Sequence, residues 1–406
     1  MVNLTIDGKQ ITVSKKATIY QAAEQAGIKI PVLCYAKKLF PYGACRICLV
    51  EVEQMKGRLI PSCTTPVTEG MVVTTMSDEI RKVRRTVLEF LLVNHVLDCP
   101  VCDKGGECDL QDLAYEYEVN GNRFEGEKFD LPKDEVNPLI ERNMNRCVLC
   151  GKCVRVCDEV VGYGSYSFIN RGFETKIATA YDRGLNCEFC GQCVSMCPVG
   201  AILPRPFKFK ARPWQLKEVD SVCGYCGNGC TVTLGVLKNK VETIRFNDKT
   251  GVNDGNLCIR GRFGYSYINS EDRLKKPLVR KNGELVEVEW DEALSVAVEG
   301  LKKAQQEKGV GILTGGRLTN EELFLLKNLA KTLGTGNLDH SGGECYKGLT
   351  EGLVETLGVS ASTGTFPQIE ECEAILAIRN DFYETHPVVG MVVNQAIRAN
   401  HAKLFV

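Results

Sequence analysis

Residues 2 to 13 alternate apolar and polar positions, VNLTI and then KQITV, on either side of the turn pair Asp7-Gly8. A period of two predicts two short strands joined by a hairpin, and the following ATIYQAAEQAG, which stops at Gly27, predicts a helix packed on them. CYAKKLFPYGACRIC then reads as a Gly/Pro-containing loop, and GRLIP as an apolar strand just before Cys63. The period changes over residues 81 to 97: Val83, Val87 and Leu91 fall at helical i, i+4 spacing. His95 continues that row, so its imidazole is expected to face inward. Residues 111 to 145 are polar and charged, with Gly121, Asn122 and Pro132, and predict a linker and domain edge. From about residue 271 the pattern is α/β: GVGIL, a Gly-Gly turn, a helical stretch from Asn320 to Leu333, EAILAI, a second helical stretch and AKLFV. A parallel sheet only begun, with the chain ending in mid-strand, leads us to expect a native polypeptide that continues past Val406.

At 406 residues the chain has room for about two to four domains of roughly 100 to 200 residues each, and 44% hydrophobic residues suffice for folded cores. Fifty basic against 51 acidic side chains leave a net charge of -1, so no global field recruits nucleic acid or an anionic membrane. The run RKVRR, residues 81 to 85, reads as a solvated helix face. MVNLTIDGKQ lacks the basic flank and apolar stretch of a secretory signal. The longest apolar patch, Val87 to Val93, is broken by Glu89 and falls short of the roughly 18 to 20 residues a membrane span needs. A soluble protein of a reducing compartment, the cytoplasm, is expected, which excludes structural disulfides.

The 21 cysteines therefore need another use, and their spacing supplies one. CVLCGKCVRVC and CEFCGQCVSMC match cysteine for cysteine at an offset of 40. Zinc sites pair one CxxC with a distant second pair, whereas this spacing, completed by Cys197-Pro198, is that of the bacterial ferredoxin run. Because the fourth cysteine of each run ligates the other cluster, Cys147, Cys150, Cys153 and Cys197 are assigned to one four-iron centre. Cys187, Cys190, Cys193 and Cys157 take its twin. Asp158 stands where the first run would ordinarily show proline. Cys34, Cys45, Cys48 and Cys63 suit a two-iron cluster, with a zinc loop as the alternative. Cys223, Cys226, Cys230 and Cys258 form a further four-thiol set. His95 with Cys99, Cys102 and Cys108 completes the inventory. A lone histidine is ordinarily a satisfied helix residue, but three neighbouring thiols make it a ligand candidate, and a neutral imidazole in place of a thiolate should raise the cluster potential. Only Cys345 and Cys372 remain. Such centres pass single electrons, nicotinamide gives hydride, and a flavin must mediate between them; no GxGxxG follows a strand, which places the nicotinamide on a partner.

The order of these motifs resembles, over essentially the whole chain, the large iron-sulfur subunit of respiratory complex I and its relatives, the α subunits of NAD-linked formate dehydrogenases and hydrogenase modules. The likeness is carried by CYAKKLFPYGACRICLVEV, the His95 motif, CPVGAI, and CGYCGNGC through NLCIRGRFGYSYIN. It implies an α+β multidomain protein: a β-grasp two-iron ferredoxin-like domain over 1–78, a helical four-iron domain with one histidine and three cysteine ligands over 79–118, and a two-cluster ferredoxin domain over 139–212. A four-iron domain of molybdopterin oxidoreductase type over 216–272 and a partial α/β domain of that class over 273–406 would follow. Implied cofactors are one 2Fe-2S and four 4Fe-4S clusters. The implied role is relaying single electrons between an NADH-binding flavoprotein subunit and a further acceptor, among other iron-sulfur subunits of a complex peripheral to a membrane through its partners. The resemblance names no catalytic side chain. Two alternatives stay open: a formate dehydrogenase α subunit with a molybdenum or tungsten bis-pterin, and an adaptor of a hydrogenase or another reductase. The complete double run is similar to formate dehydrogenases, whereas CIRGRFGYSYIN is closest to complex I, with Arg260 where those enzymes carry lysine between cluster and pterin. In NLDHSGGECYKG, Cys345 falls where a formate dehydrogenase places its metal-binding cysteine or selenocysteine, though Tyr346 replaces the expected histidine. Arg260 and Cys345 are thus the candidate molybdopterin residues, the latter with a small buried thiol as its alternative. Cys372, beside AILAI, is expected in the core, and His386 resembles a pterin-domain motif or starts a helix.

Overall fold

A computed structural model describes residues 1–406 except Gly57, Asn122 and Lys308, and all side chains but that of Glu344. The chain forms two compact units, Met1–Ser266 with Phe366–Val406, and Tyr267–Thr365.

The first module is built as its alternation predicts. Strands β1 (Val2–Ile6) and β2 (Lys9–Val13) pair antiparallel from Val2↔Val13 to Ile6↔Lys9. Asp7 and Gly8 both take positive φ, the conformation of a two-residue turn whose twist matches the strands. Helix α1 (Ile19–Gln25) opens with a capping box: the Gln21 amide donates to Thr18 Oγ1, and the Gln21 side chain accepts from the Thr18 amide. Strands β3 (Leu49–Val52), β4 (Leu59–Pro61) and β5 (Met71–Thr74) complete a sheet of order β2-β1-β5-β3-β4 in which only β1 and β5 run parallel. Of the predicted GRLIP strand, Gly57 lies outside the described residues. Ile19, Ala22 and Ala23 of α1 close over Leu4, Ile6, Val50, Val52 and Val73, giving a β-grasp core.

Helix α2 (Asp78–Asn94), capped by Ser77, confirms the helical period but shifts the buried row by one residue, to Ile80, Arg84 and Leu88. Val87 and Leu91 are half-buried beside it. The expectation of a solvated RKVRR face is corrected at Arg84, which is 0% exposed. Its Nη1 donates to Tyr117 Oη at 2.9 Å and its Nη2 to the Leu49 and Thr75 carbonyls at 2.8 and 3.0 Å. Three acceptors converge there, so the guanidinium is worth burying. The linker expected over residues 111 to 145 is corrected at both ends, where α3 (Asp109–Glu116) and β6 (Ile140–Arg142) bury Leu113 and Ile140; between them the chain is irregular, with Asn122 outside the described residues.

The sequence repeat is also a backbone repeat. Leu149 and Phe189 take positive φ (51° and 48°), Gly151 and Gly191 follow at 70° and 71°, and the short helices α4 (Lys152–Arg155) and α5 (Gln192–Met196) start one residue later. A π-turn, Val156–Val160, extends α4 and carries Cys157. Between the halves lie strands β7 (Ser167–Ile169) and β8 (Lys176–Ala178), and β9 (Ile202–Pro204) returns to pair with β6. A three-stranded antiparallel sheet follows, β10 (Lys217–Val222), β11 (Thr231–Leu237) and β12 (Lys240–Arg245), and then α6 (Ile259–Phe263).

The second unit contains the hairpin β13 (Leu278–Lys281) and β14 (Glu284–Glu287), α7 (Trp290–Glu307), β15 (Ile312–Thr314), α8 (Asn320–Thr332), β16 (Leu338–His340) parallel to β15, and α9 (Gly343–Leu357). Cys345 is exposed on α9, not a buried thiol. The last 41 residues pack with the first unit instead of continuing the second. They form α10 (Phe366–Glu370), β17 (Ala374–Leu376), α11 (Phe382–Thr385), α12 (Pro387–Asn400) and β18 (Lys403–Phe405), which pairs parallel with β17. Met391 of α12 joins Leu39, Val156, Val160, Val161 and Met196 in one apolar cluster. His386 caps α12 at its N-terminal end. Cys372 is half-exposed, its thiol on the Gln368 carbonyl at 3.1 Å, so it is not the core residue expected. Among the described residues no helix is long and apolar enough to cross a membrane.

Arg84→Ala should cost about 3 kcal/mol, because it strands a buried phenol and two carbonyls; the exposed Lys82→Ala in the same run should stay within about 0.5 kcal/mol. The urea midpoint measures both, and equal shifts would contradict the buried role of Arg84.

Candidate metal centres

The donors predicted from spacing gather in five groups. Cys34, Cys45 and Cys48, in the loop between α1 and β3, and Cys63, just after β4, are all buried. Cys48 Sγ and Cys63 Sγ lie 3.3 Å apart. Hydrogen bonds from Cys45 and Cys63 hold the Cys34 thiol far below its usual range, and Cys63 brings Cys48 down to about 6. The donating partners, Cys45 and Cys63, are pushed up in return. Arg46 takes φ 58°, and the amide of Ile47 beyond it bonds the Cys45 sulfur. Four thiols that share protons in this way are a set that a metal centre can deprotonate together.

His95 ends α2 with an extended backbone and is buried. Burial pushes its pKa down to about 4, so at pH 7 the ring is neutral, and Nδ1 is buried without a hydrogen-bond partner. A neutral ring with an unpartnered nitrogen suits a ligand position. His95, Cys99 and Cys108 line one largely apolar cavity, with Cys99 exposed and Cys108 buried and pushed up to about 11. Cys102 lies within electrostatic reach of Cys99 and Cys108. Three residues that spacing did not reveal hold this region. Lys128 Nζ donates to the carbonyls of Leu92, Val93 and His95 at 3.1, 3.0 and 2.8 Å, satisfying the free end of α2. Arg146 pairs with Asp98 at 2.5 Å. Gly200 approaches so closely that a Cβ there would stand 2.2 Å from Cys102 Sγ. The glycine of CPVGAI was the available signal for the last.

In the repeat, Cys147 and Cys150 are within electrostatic reach of Cys197, and Cys153 of all three. Cys187, Cys190 and Cys193 are likewise grouped with Cys157. Burial is the first cause of the upward shifts at Cys147, Cys150, Cys153, Cys187, Cys190 and Cys193, taking Cys150 to about 11 and Cys190 to about 12. Backbone amides answer it. Those of Leu149, Phe189 and Ser165 donate to Cys147, Cys187 and Cys157 Sγ, each at 3.3 Å, and Tyr166 Oη lies 3.6 Å from Cys193 Sγ.

Cys223, Cys226, Cys230 and Cys258 line a small enclosed cavity together with Tyr225, Leu257, Arg260 and Val388. Burial pushes Cys230 up to about 12. Exposed Arg260 donates from Nη2 to the Glu384 carbonyl at 2.9 Å. Among the described residues no three His, Cys, Asp or Glu side chains are arranged as the shell of a single metal ion. The donor chemistry, soft thiolates and one imidazole, suits iron-sulfur centres.

Comparison with known proteins covers nearly the whole chain. Residues 1–78 match the 2Fe-2S iron-sulfur cluster binding domain, 84–123 the NADH-ubiquinone oxidoreductase-G iron-sulfur binding region, and 137–203 the ferredoxin-like domain of NADH-quinone oxidoreductase subunit 3. Residues 216–270 match the molybdopterin oxidoreductase Fe4S4 domain and 273–406 the molybdopterin oxidoreductase family. NADPH-Fe(3+) oxidoreductase subunit alpha of Geobacter sulfurreducens is 42% identical over 100% of this chain and 48% of its own length. The NADH-quinone oxidoreductase G 2 subunit of Rhizobium meliloti is 40% identical over 100% of this chain and 47% of its own. The chain thus spans about half the length of these curated relatives. A crystal structure of NAD+-reducing [NiFe]-hydrogenase in the H2-reduced state aligns over 52% of this chain and 90% of its own, at 31% identity and a TM-score of 0.49.

Gly200→Ala should displace Cys102 and remove the iron of one centre, while Gly184→Ala, whose Cβ would meet nothing within 4 Å, should leave the iron content unchanged. Iron and acid-labile sulfide analysis of anaerobically purified protein reads the difference. Full iron in the Gly200 variant would mean that Cys102 is not a ligand.

Proposed function

We propose that this chain, which is similar over its whole length to large iron-sulfur subunits of complex I type NADH dehydrogenases, is an electron-transfer module relaying single electrons through one two-iron and four four-iron centres. The observation that carries this reading is that the donor groups are neighbours as well as groups. Cys150 is within electrostatic reach of Cys34, Cys153 of Cys193, and the Arg262 guanidinium of Cys193 and Cys258 together. The backbone links the His95 group to the repeat, through the Asp109 amide on the Pro198 carbonyl at 2.9 Å.

Iron-sulfur centres, when bound, supply one-electron chemistry. The chain's residues would do the rest. Cys34, Cys45, Cys48 and Cys63 would hold the two-iron centre, His95 with Cys99, Cys102 and Cys108 one four-iron centre, and the crossed sets of the repeat two more. Cys223, Cys226, Cys230 and Cys258 would hold the last. Amides directed at sulfur favour the reduced state, as does the neutral His95 ring, and burial sets how strongly each acts. A flavoprotein partner that oxidises NADH or NADPH is the proposed donor, in line with the names of the relatives, and a cytoplasmic location follows from that pairing.

The match of residues 273–406 to the molybdopterin oxidoreductase family favours a second reading, catalysis at a molybdenum or tungsten pterin. Cys345 is exposed and Arg260 is engaged by the Glu384 carbonyl, which supports conduction as the first. Stoichiometric molybdenum or tungsten with formate-dependent cluster reduction in the purified protein would reverse that order.

Replacing His95 with Cys should keep a four-iron centre and lower its midpoint potential alone in an EPR-monitored titration. An unmoved potential means that the ring is no ligand. Zinc in place of iron and labile sulfide in anaerobic wild-type protein overturns the function proposed here.

A further inference from the structure

Each half of the cysteine repeat puts one residue directly before its third cysteine, Lys152 before Cys153 and Gln192 before Cys193. In the first half the Lys152 ammonium bears on Cys150. In the second half the same position is a buried neutral amide, whose Nε2 donates to the Leu257 carbonyl at 3.2 Å. Cys190, the repeat equivalent of Cys150, nevertheless feels a cation. It is Arg262, on α6 of the following module.

Arg262 is 4% exposed. Its stem lies against Gly191, where a Cβ would stand 2.8 Å from Arg262 Cγ, so the glycine that starts α5 also admits the side chain. Nε is buried without a hydrogen-bond partner, and Nη2 makes one long contact, 3.4 Å, to the Gly255 carbonyl. A guanidinium so poorly satisfied is costly to bury unless anions face it. The sulfurs that bear on it are Cys190, Cys193 and Cys258, from two different groups, and its own amide donates to the Cys258 carbonyl at 2.9 Å; with iron bound these thiolates are the anions that face it.

We propose that Arg262 is a shared counter-charge between the centre held by Cys157, Cys187, Cys190 and Cys193 and the centre held by Cys223, Cys226, Cys230 and Cys258, raising both potentials together. The proposal rests on the iron-sulfur function proposed above. Each electron added makes a centre more negative, and a fixed cation between two desolvated centres stabilises the reduced form on both sides. The second half of the repeat thereby borrows from α6 the charge that the first half carries itself.

The test is an EPR-monitored redox titration, with iron analysis, of the anaerobically prepared chain. R262Q should weaken reduction of these two centres about tenfold each, which is about 59 mV for a one-electron couple, and leave the other three unmoved. R262K should keep both near their wild-type values. R262Q/Q192K, which restores a cation in the repeat, should recover the Cys190 centre and leave the Cys258 centre low. Full iron in R262Q with either potential unmoved overturns the proposal, as does an R262K protein that falls as far as R262Q. If R262Q does not retain its iron, R262K decides: both potentials held supports the proposal, and either one lowered tenfold overturns it. Lack of iron in the wild-type chain would instead overturn the iron-sulfur function itself.

Discussion

A sulfur anion withdrawn from water is expensive, and the architecture of this chain follows from that cost. Burial is the leading reason that Cys147, Cys153, Cys190, Cys193 and Cys230 resist ionisation, and neighbouring sulfurs add to it. Two kinds of group reduce the penalty. Amides are aimed at sulfur from loops whose residues take left-handed conformations, at Arg46, Leu149 and Phe189. Lys152, Arg146 and Arg262 bring full charges, and each is itself largely buried. Neither kind costs the protein a large apolar interface, which is how so many thiols can be packed into modules this small.

The parts legible in the sequence are those set by local geometry. The β1-β2 hairpin could be read because alternation and Asp7-Gly8 act over a few residues, and both turn positions do take positive φ. The 40-residue repeat was legible for the same reason: left-handed Leu149 and Phe189, with Gly151 and Gly191, belong to one local loop shape used twice. Arg84 was not legible. Inside RKVRR it differs from its neighbours only through acceptors at residues 49, 75 and 117, which tertiary folding brings together. Lys128 is a similar case, since the three carbonyls it serves lie more than 30 residues away in sequence.

Asp158 shows how a departure from a motif can carry information. Where the first run would ordinarily turn at proline, this chain continues α4 into a π-turn. Arg398 meets the Asp158 carboxylate with two bonds of 3.0 Å, and Asn394 Nδ2 donates to the carbonyls of Glu159 and Val160 at 2.9 and 3.1 Å. A helix more than 220 residues downstream in sequence therefore restrains the segment that carries Cys157. Proline could offer no carboxylate for that fork, so the substitution belongs with the docking of α12 and not with loss of the sulfur group.

The sulfurs also take the place of an ordinary core. Cys34, Cys45, Cys108, Cys150, Cys153, Cys157, Cys193 and Cys197 share one continuous buried cluster with Leu33, Ile47, Leu88, Ile140 and Tyr166. That cluster runs through the β-grasp loop, the α2-α3 segment and the repeat, so these segments share one interior beside the separate core of the β-grasp sheet. Arg155 adds a polar tie across the same boundary, from Nη1 to the Phe40 carbonyl at 2.8 Å and from Nη2 to the Cys34 carbonyl. In a core built this way, the spacing between donor groups is fixed by the same contacts that fold the modules. A shift at one sulfur must be absorbed by its neighbours, because close-packed interiors leave little room to relax. The separations between the donor groups are therefore a property of the fold itself.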